Sequence, residues 1–226
     1  MGKRANPKSA HHERIEIHYA PKTENQSALY AALEQKSLLL VMGPAGTGKT
    51  YTCCVKAAQW LRRGAIKKII LARANVSTGK SLGAIPGTLE EKIAPWTMPM
   101  TDVLKESLGT TYYEYCVARD VIQTVALETI RGRSFEDAFI LIDECQQLTL
   151  DEIKAISTRV GENSVIVFMG DPRQSDLESK SGIGTFFDLL NRYNPPGTGI
   201  IQFDLNDIVR SDVCMQMVRM FHHAGY

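Results

Sequence analysis

The chain has 226 residues, 44% of them from the AVILMFWYC set and 23% charged, which is the composition of an ordinary globular protein and excludes wholesale disorder. Twenty-six basic residues stand against 25 acidic ones, for a net charge of +1, so a surface coated in positive charge for bulk nucleic-acid binding is excluded, although a local basic channel is not. The longest apolar runs, at 38–42 and 138–142, fall far short of the ~18 residues a spanning helix needs, and no membrane partner is expected.

Residues 1–22 are polar and mixed. They read as a flexible N-terminal arm without the apolar core of a secretory signal, ahead of one domain over 23–226. A helical pattern at 26–36 leads into an apolar strand at 38–42, and a helix over 50–63 ends at Gly64 after Arg62 and Arg63, residues suited to a helix C-terminus. A strand is expected at 69–72. Residues 73–101 contain Gly79, Gly83, Pro86, Gly87, Pro95 and Pro99 and read as a long, broken, functional loop. Arg73, Lys80 and Lys92 within it can line a basic channel; the simpler reading is a solvated loop balanced by Glu90 and Glu91.

Tyr112, Tyr113 and Tyr115 read as a helix face, with base stacking as the alternative. Strands follow at 138–142, 165–169 and 200–203, and helices at 149–160, 184–193 and 211–223; Thr149 and Glu152 form a capping box at the start of the first of these. Continuous apolar strands separated by helices predict an α/β fold with a parallel sheet covered on both faces. The five cysteines include no C-x-x-C pair, which favours a reducing, cytoplasmic setting over a disulfide framework or a zinc ribbon. His11-His12 and His222-His223 lack a matching Cys or acid constellation for a transition metal.

Gly43-Pro44-Ala45-Gly46-Thr47-Gly48-Lys49-Thr50 fits G-x-x-x-x-G-K-[ST] at every fixed position, and it lies between a predicted strand and a predicted helix. Such a loop turns backbone N–H groups inward to cradle phosphate oxygens at a helix N-terminus. Lys49 is the candidate for the β- and γ-phosphates and Thr50 for Mg2+. The apolar run 139–142 ends in Asp143 and Glu144, and acids in that position are costly unless paired or metal-bound. Asp143 is assigned to the Mg2+ shell and Glu144 to polarising the attacking water. The run 165–169 ends in Gly170-Asp171-Pro172-Arg173-Gln174. Gln174 can sense the γ-phosphate or orient the water, a plain turn being the alternative.

Four blocks of the chain resemble the PhoH family, ATPases related to the superfamily 1 helicases. They are Asn25-Gln26 before the loop, 79–95 (GKSLGAIPGTLEEKIAP), 131–147 (RGRSFEDAFILIDECQQ) and 158–177 (TRVGENSVIVFMGDPRQSDL). Cys145, Gln147 and Ala74 depart from the family's usual Ala, Asn and Pro and leave Asp143, Glu144 and Gln146 in place. The resemblance implies a RecA-like domain that binds ATP with Mg2+, uses Gln26 to read adenine and acts on RNA or single-stranded DNA. Helicases of this group place ATP between two RecA-like halves, and the length here suits one. The resemblance therefore implies a homo-oligomer, a hexameric ring, in which a neighbour completes the site. Arg210, in a D-I-V-R stretch, is the first candidate for an arginine acting in trans, a surface ion pair being the other reading. Arg131 and Arg133 follow. A small-molecule phosphotransferase and a nucleotide-gated scaffold with little turnover are the competing functions.

Overall fold

A computed structural model describes residues 16–74, 89–130, 132–175, 177 and 181–224. Six strands form one wholly parallel sheet: β1 (Leu38–Met42), β2 (Lys68–Arg73), β3 (Ile122–Thr124), β4 (Ala138–Asp143), β5 (Val165–Gly170) and β6 (Thr198–Gln202), in the order β3-β2-β4-β5-β1-β6. All positions of β4 and β5 are buried, as central strands covered on both faces must be. One face carries α1 (Glu24–Ala32), α2 (Lys49–Arg63), α3 (Leu89–Leu108) and α4 (Thr110–Ala118); the other carries α5 (Leu127–Ile130), α6 (Leu150–Ser157) and α7 (Ile183–Tyr193). The last helix is α8 (Asp212–His223). This is a RecA-like arrangement in a single domain, as the alternation of apolar runs and helices predicts.

The predicted helix boundaries hold where the caps are local. Thr149 and Glu152 make the reciprocal capping box of α6. Gly64 takes φ 73° after α2, a left-handed turn that costs glycine little. One strand is not foreseen and one expectation fails. Strand β3 has only three residues, Ile122–Thr124, too few to show a periodicity. The second part of the expected broken loop at 73–101, from Leu89 on, is instead the start of a 20-residue helix, α3, with Pro95 and Pro99 inside it. Each proline costs about 3 kcal/mol in a helix interior. Met100, Leu104 and Leu108 are almost completely buried against the sheet, each contributing about 1.5–3 kcal/mol. Burial at i, i+4 and i+8 therefore offsets the breakers. Residues 75–88, with Lys80, lie outside the described residues, as does the side chain of Lys92.

The parallel register sets the functional rim. Arg73 pairs with Asp143 across β2 and β4, and Met42 pairs with both Gly170 and Gln202. The carboxyl ends of the central strands therefore lie side by side, where ligands of open α/β sheets bind. Among the described residues no helix is long and apolar enough to cross a membrane.

Candidate nucleotide site

Helix α2 begins at Gly48, with φ 84° and no side-chain cap. Its first N–H groups thus keep no side-chain acceptor and point at the loop's ligand space, where the helix dipole favours an anion. A cavity of about 680 Å3 opens there. Ala45, Gly46, Gly48, Lys49, Thr50, Asp143, Glu144, Gln174, Gln26 and Arg210 all line it. The rest of the predicted loop is continuous with this wall: Gly43 and Pro44 supply carbonyls to Lys49, and the Thr47 hydroxyl donates to the Pro44 carbonyl at 3.0 Å. Distant segments of the chain, ending different strands or capping helices, thus converge as their residue types predict.

Burial perturbs two of the charged groups in this cavity. Burial lowers the Lys49 ammonium despite the nearby Asp171, Asp143 and Glu144 carboxylates. Burial also raises the Asp143 carboxyl, and the Glu144 charge adds to the rise against the pull of Arg73 and Lys49. Burial pushes both groups toward neutrality, a perturbation that clusters at functional sites. Asp143 and Thr50 line the same cavity, a carboxylate and a hydroxyl of the kind that suits Mg2+, which takes few protein ligands and completes its shell with water and phosphate. Among the described residues no cluster of three or more His, Cys, Asp or Glu forms a metal site.

Glu144 leaves β4 in a left-handed conformation, φ 54°, uncommon for a residue with a side chain. Its carboxylate is gripped from two sides. Arg73 Nη2 donates to Oε1 at 2.8 Å and Gln146 Nε2 to Oε2 at 2.6 Å. Gln146 is buried, and its Oε1 accepts from the Asp171 N–H at 3.2 Å. Gln174 in turn donates to Asp171 Oδ2 at 3.0 Å. The ends of β2, β4 and β5 are thus joined in one hydrogen-bonded chain.

Gln26 is also buried, and its amide serves the loop: Nε2 donates to the Thr47 carbonyl at 2.9 Å and Oε1 accepts from the Lys22 N–H at 2.8 Å. One N–H of Nε2 and one lone pair of Oε1 remain for a base. The described part of the expected flexible arm, residues 16–22, lies along α1 and α2. Gln59 donates to the Ile17 carbonyl at 2.7 Å, the Tyr19 hydroxyl bonds Thr52 at 2.6 Å, and the Tyr19 ring stacks on Tyr30. Tyr19 and Tyr51 both border the cavity.

Arg210 meets the phosphate loop within its own chain. The Val209 N–H donates to the Gly46 carbonyl at 3.1 Å, and a Cβ built at Gly46 would stand 2.8 Å from Arg210 Cγ. Arg210 therefore lies over the phosphate loop of its own chain, in cis. Arg133 is on the surface by β3, donating to Gln123 Oε1 at 3.1 Å, and does not line the cavity; Arg131 lies outside the described residues. Arg73, expected at most in a channel lining, is in the cavity wall instead. A basic residue closing an apolar strand is its sequence signal; its partner Glu144 is 71 residues away and gives none. Tyr112, Tyr113 and Tyr115 lie on α4, where Tyr113 is buried, the Arg62 guanidinium stacks 3.8 Å from the Tyr112 ring centre, and Tyr115 is exposed beside Tyr112.

A family model described as PhoH-like protein matches residues 18–222. The chain is 38% identical over 202 residues to a PhoH-like protein of Bacillus subtilis (strain 168), covering 88% of this chain and 63% of that one. It is 34% identical over 205 residues to Protein PhoH of Escherichia coli (strain K12), covering 88% and 57% respectively. The chain thus spans less than two thirds of the length of these curated relatives. Among solved structures, the large terminase from a thermophilic bacteriophage shares the fold, with a TM-score of 0.51 at 10% identity over 88% of this chain and 50% of that one.

Proposed function

The chain belongs to the PhoH-like protein family, and from that footing we propose that it is an ATPase that uses Mg2+ to hydrolyse ATP in the cavity at the rim of β1, β4 and β5. One observation carries this reading. The uncapped N-terminus of α2 with Lys49, and the Asp143–Glu144 pair, face one cavity from separate strands. Lys49 and the loop N–H groups hold the phosphates. Thr50 and Asp143 hold the metal, whose bound charge offsets the negative charge of the triphosphate. Glu144 accepts a proton from the attacking water, and Gln174 orients that water or the γ-phosphate. Gln26 offers its spare N–H and lone pair to adenine.

RNA or single-stranded DNA is the proposed partner of this cycle, with strand separation as its output in the manner of a helicase. The likeness of residues 158–177 to a family related to the superfamily 1 helicases supports it. A homo-oligomeric ring in the cytoplasm, a hexamer, is the proposed assembly. Helix α8 leaves Val213, Met217, Met220 and Phe221 exposed, and this apolar stripe at helical spacing suits burial against a second copy.

Phosphate release by the purified protein, with and without single-stranded RNA, tests the reading. Glu144→Gln is expected to bind ATP as the parent does and to lose turnover by about a hundredfold or more, the scale of a positioned acid–base group. Parental turnover in that variant would remove Glu144 from the mechanism. ATP-dependent phosphorylation of a small molecule without hydrolysis would replace the ATPase by a phosphotransferase.

A further inference from the structure

We propose that Arg73 is a triphosphate-sensing residue acting from within its own chain: it holds Glu144 while the cavity is empty and moves to the γ-phosphate when ATP enters. This role rests on the ATP-binding reading of the cavity and is not contained in it.

Three observations converge on Arg73. It closes β2 opposite Asp143 in the register, so its stem is fixed by the sheet while its head reaches the rim. The guanidinium has two engagements, Nη2 to Glu144 Oε1 at 2.8 Å and Nη1 to the Trp96 carbonyl at 2.9 Å. It borders the same cavity as Lys49 and Thr50.

The pairing with Glu144 is of a kind that can be exchanged. Both side chains keep about a quarter of their surface open to solvent and ligand, 24% and 27%, so either partner can be replaced without a buried charge being stranded. A terminal phosphate carries more charge than a carboxylate and presents oxygens that match the planar guanidinium fork. Nothing comparable is offered by a diphosphate, whose charge ends one phosphate closer to the loop.

The exchange has a consequence for Glu144. Both of its oxygens accept hydrogen bonds, from Arg73 and from Gln146. Departure of Arg73 frees Oε1 for water while Gln146 still fixes the carboxylate through Oε2. The base is thereby released only when a γ-phosphate is present to be attacked. The same movement gives up the hydrogen bond to the Trp96 carbonyl in α3.

Equilibrium binding of a fluorescent ADP and of a fluorescent non-hydrolysable ATP analogue, both with Mg2+, tests this without any turnover. Arg73→Gln is expected to weaken the triphosphate analogue about tenfold or more, the worth of a charge-assisted hydrogen bond, and to leave ADP within about twofold. Arg73→Lys keeps the charge but not the fork and is expected to fall between. Equal affinities to the parent for both nucleotides would overturn the proposal. So would an equal loss for both nucleotides in both variants, since that is the mark of a structural prop. Failure of the parent protein to bind either nucleotide would instead reject the ATP reading itself.

Discussion

A Cβ placed on Gly170 would stand 2.3 Å from Oε1 of Gln146, and 3.0 Å from the Cys145 sulfur. The last residue of β5 is therefore a glycine because the amide that steadies Glu144 occupies the space of a side chain. Backbone strain has no part in this, since Gly170 is not among the glycines of positive φ.

Gly170→Ala follows as a sharp test of that linkage. The added methyl has to push Gln146 away, which breaks the bond to Glu144 Oε2 and the bond from the Asp171 N–H. Overpacking of this kind costs about 1–3 kcal/mol, so the melting temperature is expected to fall by several degrees. Turnover should fall by more than nucleotide affinity, because Lys49 and the loop are untouched. Unchanged turnover in a folded variant would show that Gln146 does not position Glu144.

The Lys56–Glu34 pair bears on stability and not on the site. Lys56 is almost fully buried, its Nζ 2.5 Å from Glu34 Oε1 and 3.6 Å from the centre of the Tyr30 ring. Burial alone would raise the Glu34 carboxyl, but the hydrogen bond and charge of Lys56 outweigh it and hold the carboxyl below its ordinary value of 4.5. A depressed folded-state value means stabilisation that is present above the unfolded value and lost as pH falls through the folded one. Melting curves across the acid range are expected to show this loss below about pH 4.5, near the ordinary Glu value. Lys56→Met, which replaces a buried ammonium by an apolar chain of similar volume, is expected to melt near the parent at neutral pH and to show a smaller acid loss. An identical acid profile in both proteins would contradict the assignment.

Thiol chemistry offers a check on the core. Cys53, Cys54, Cys116 and Cys145 are buried and free, and Cys214 is half-buried. Burial pushes the first four thiols up, with the Asp143 charge adding to the rise at Cys53, Cys54 and Cys145. Thiolate is the reactive form. Mild alkylation of the native protein near neutral pH should therefore give one adduct, on Cys214, and five after denaturation, one for each cysteine of the chain. Rapid native labelling of Cys145 would show that the floor of the site opens.

What can be read from the sequence is whatever is written locally. The phosphate loop is eight consecutive residues, 43–50, and the Asp143–Glu144 pair closes an uninterrupted apolar run, so both declare themselves without any knowledge of the fold. The capping box of α6 is likewise contained in four residues. What cannot be read depends on contacts between distant segments. Arg73 meets Glu144, and Asn25 donates to Asp207 at 2.8 Å across 182 positions; neither spacing carries a pattern. Helix α3 is hidden by Pro95 and Pro99, because local propensity argues against a helix that tertiary burial of Met100, Leu104 and Leu108 sustains. Arg210 is legible as a residue of the site but not as one of its own chain's site, since spacing alone does not distinguish a residue that folds over its own loop from one offered to a neighbour.

Calorimetric titration of the purified chain with ATP and Mg2+ tests the central claim most directly. Saturable one-site binding is predicted, with a dissociation constant in the range of about 1 µM to 1 mM usual for enzyme substrates, abolished by Lys49→Ala in a protein that melts as the parent does. Absence of any binding heat or competition by millimolar ATP, in a sample shown to be folded, would contradict it.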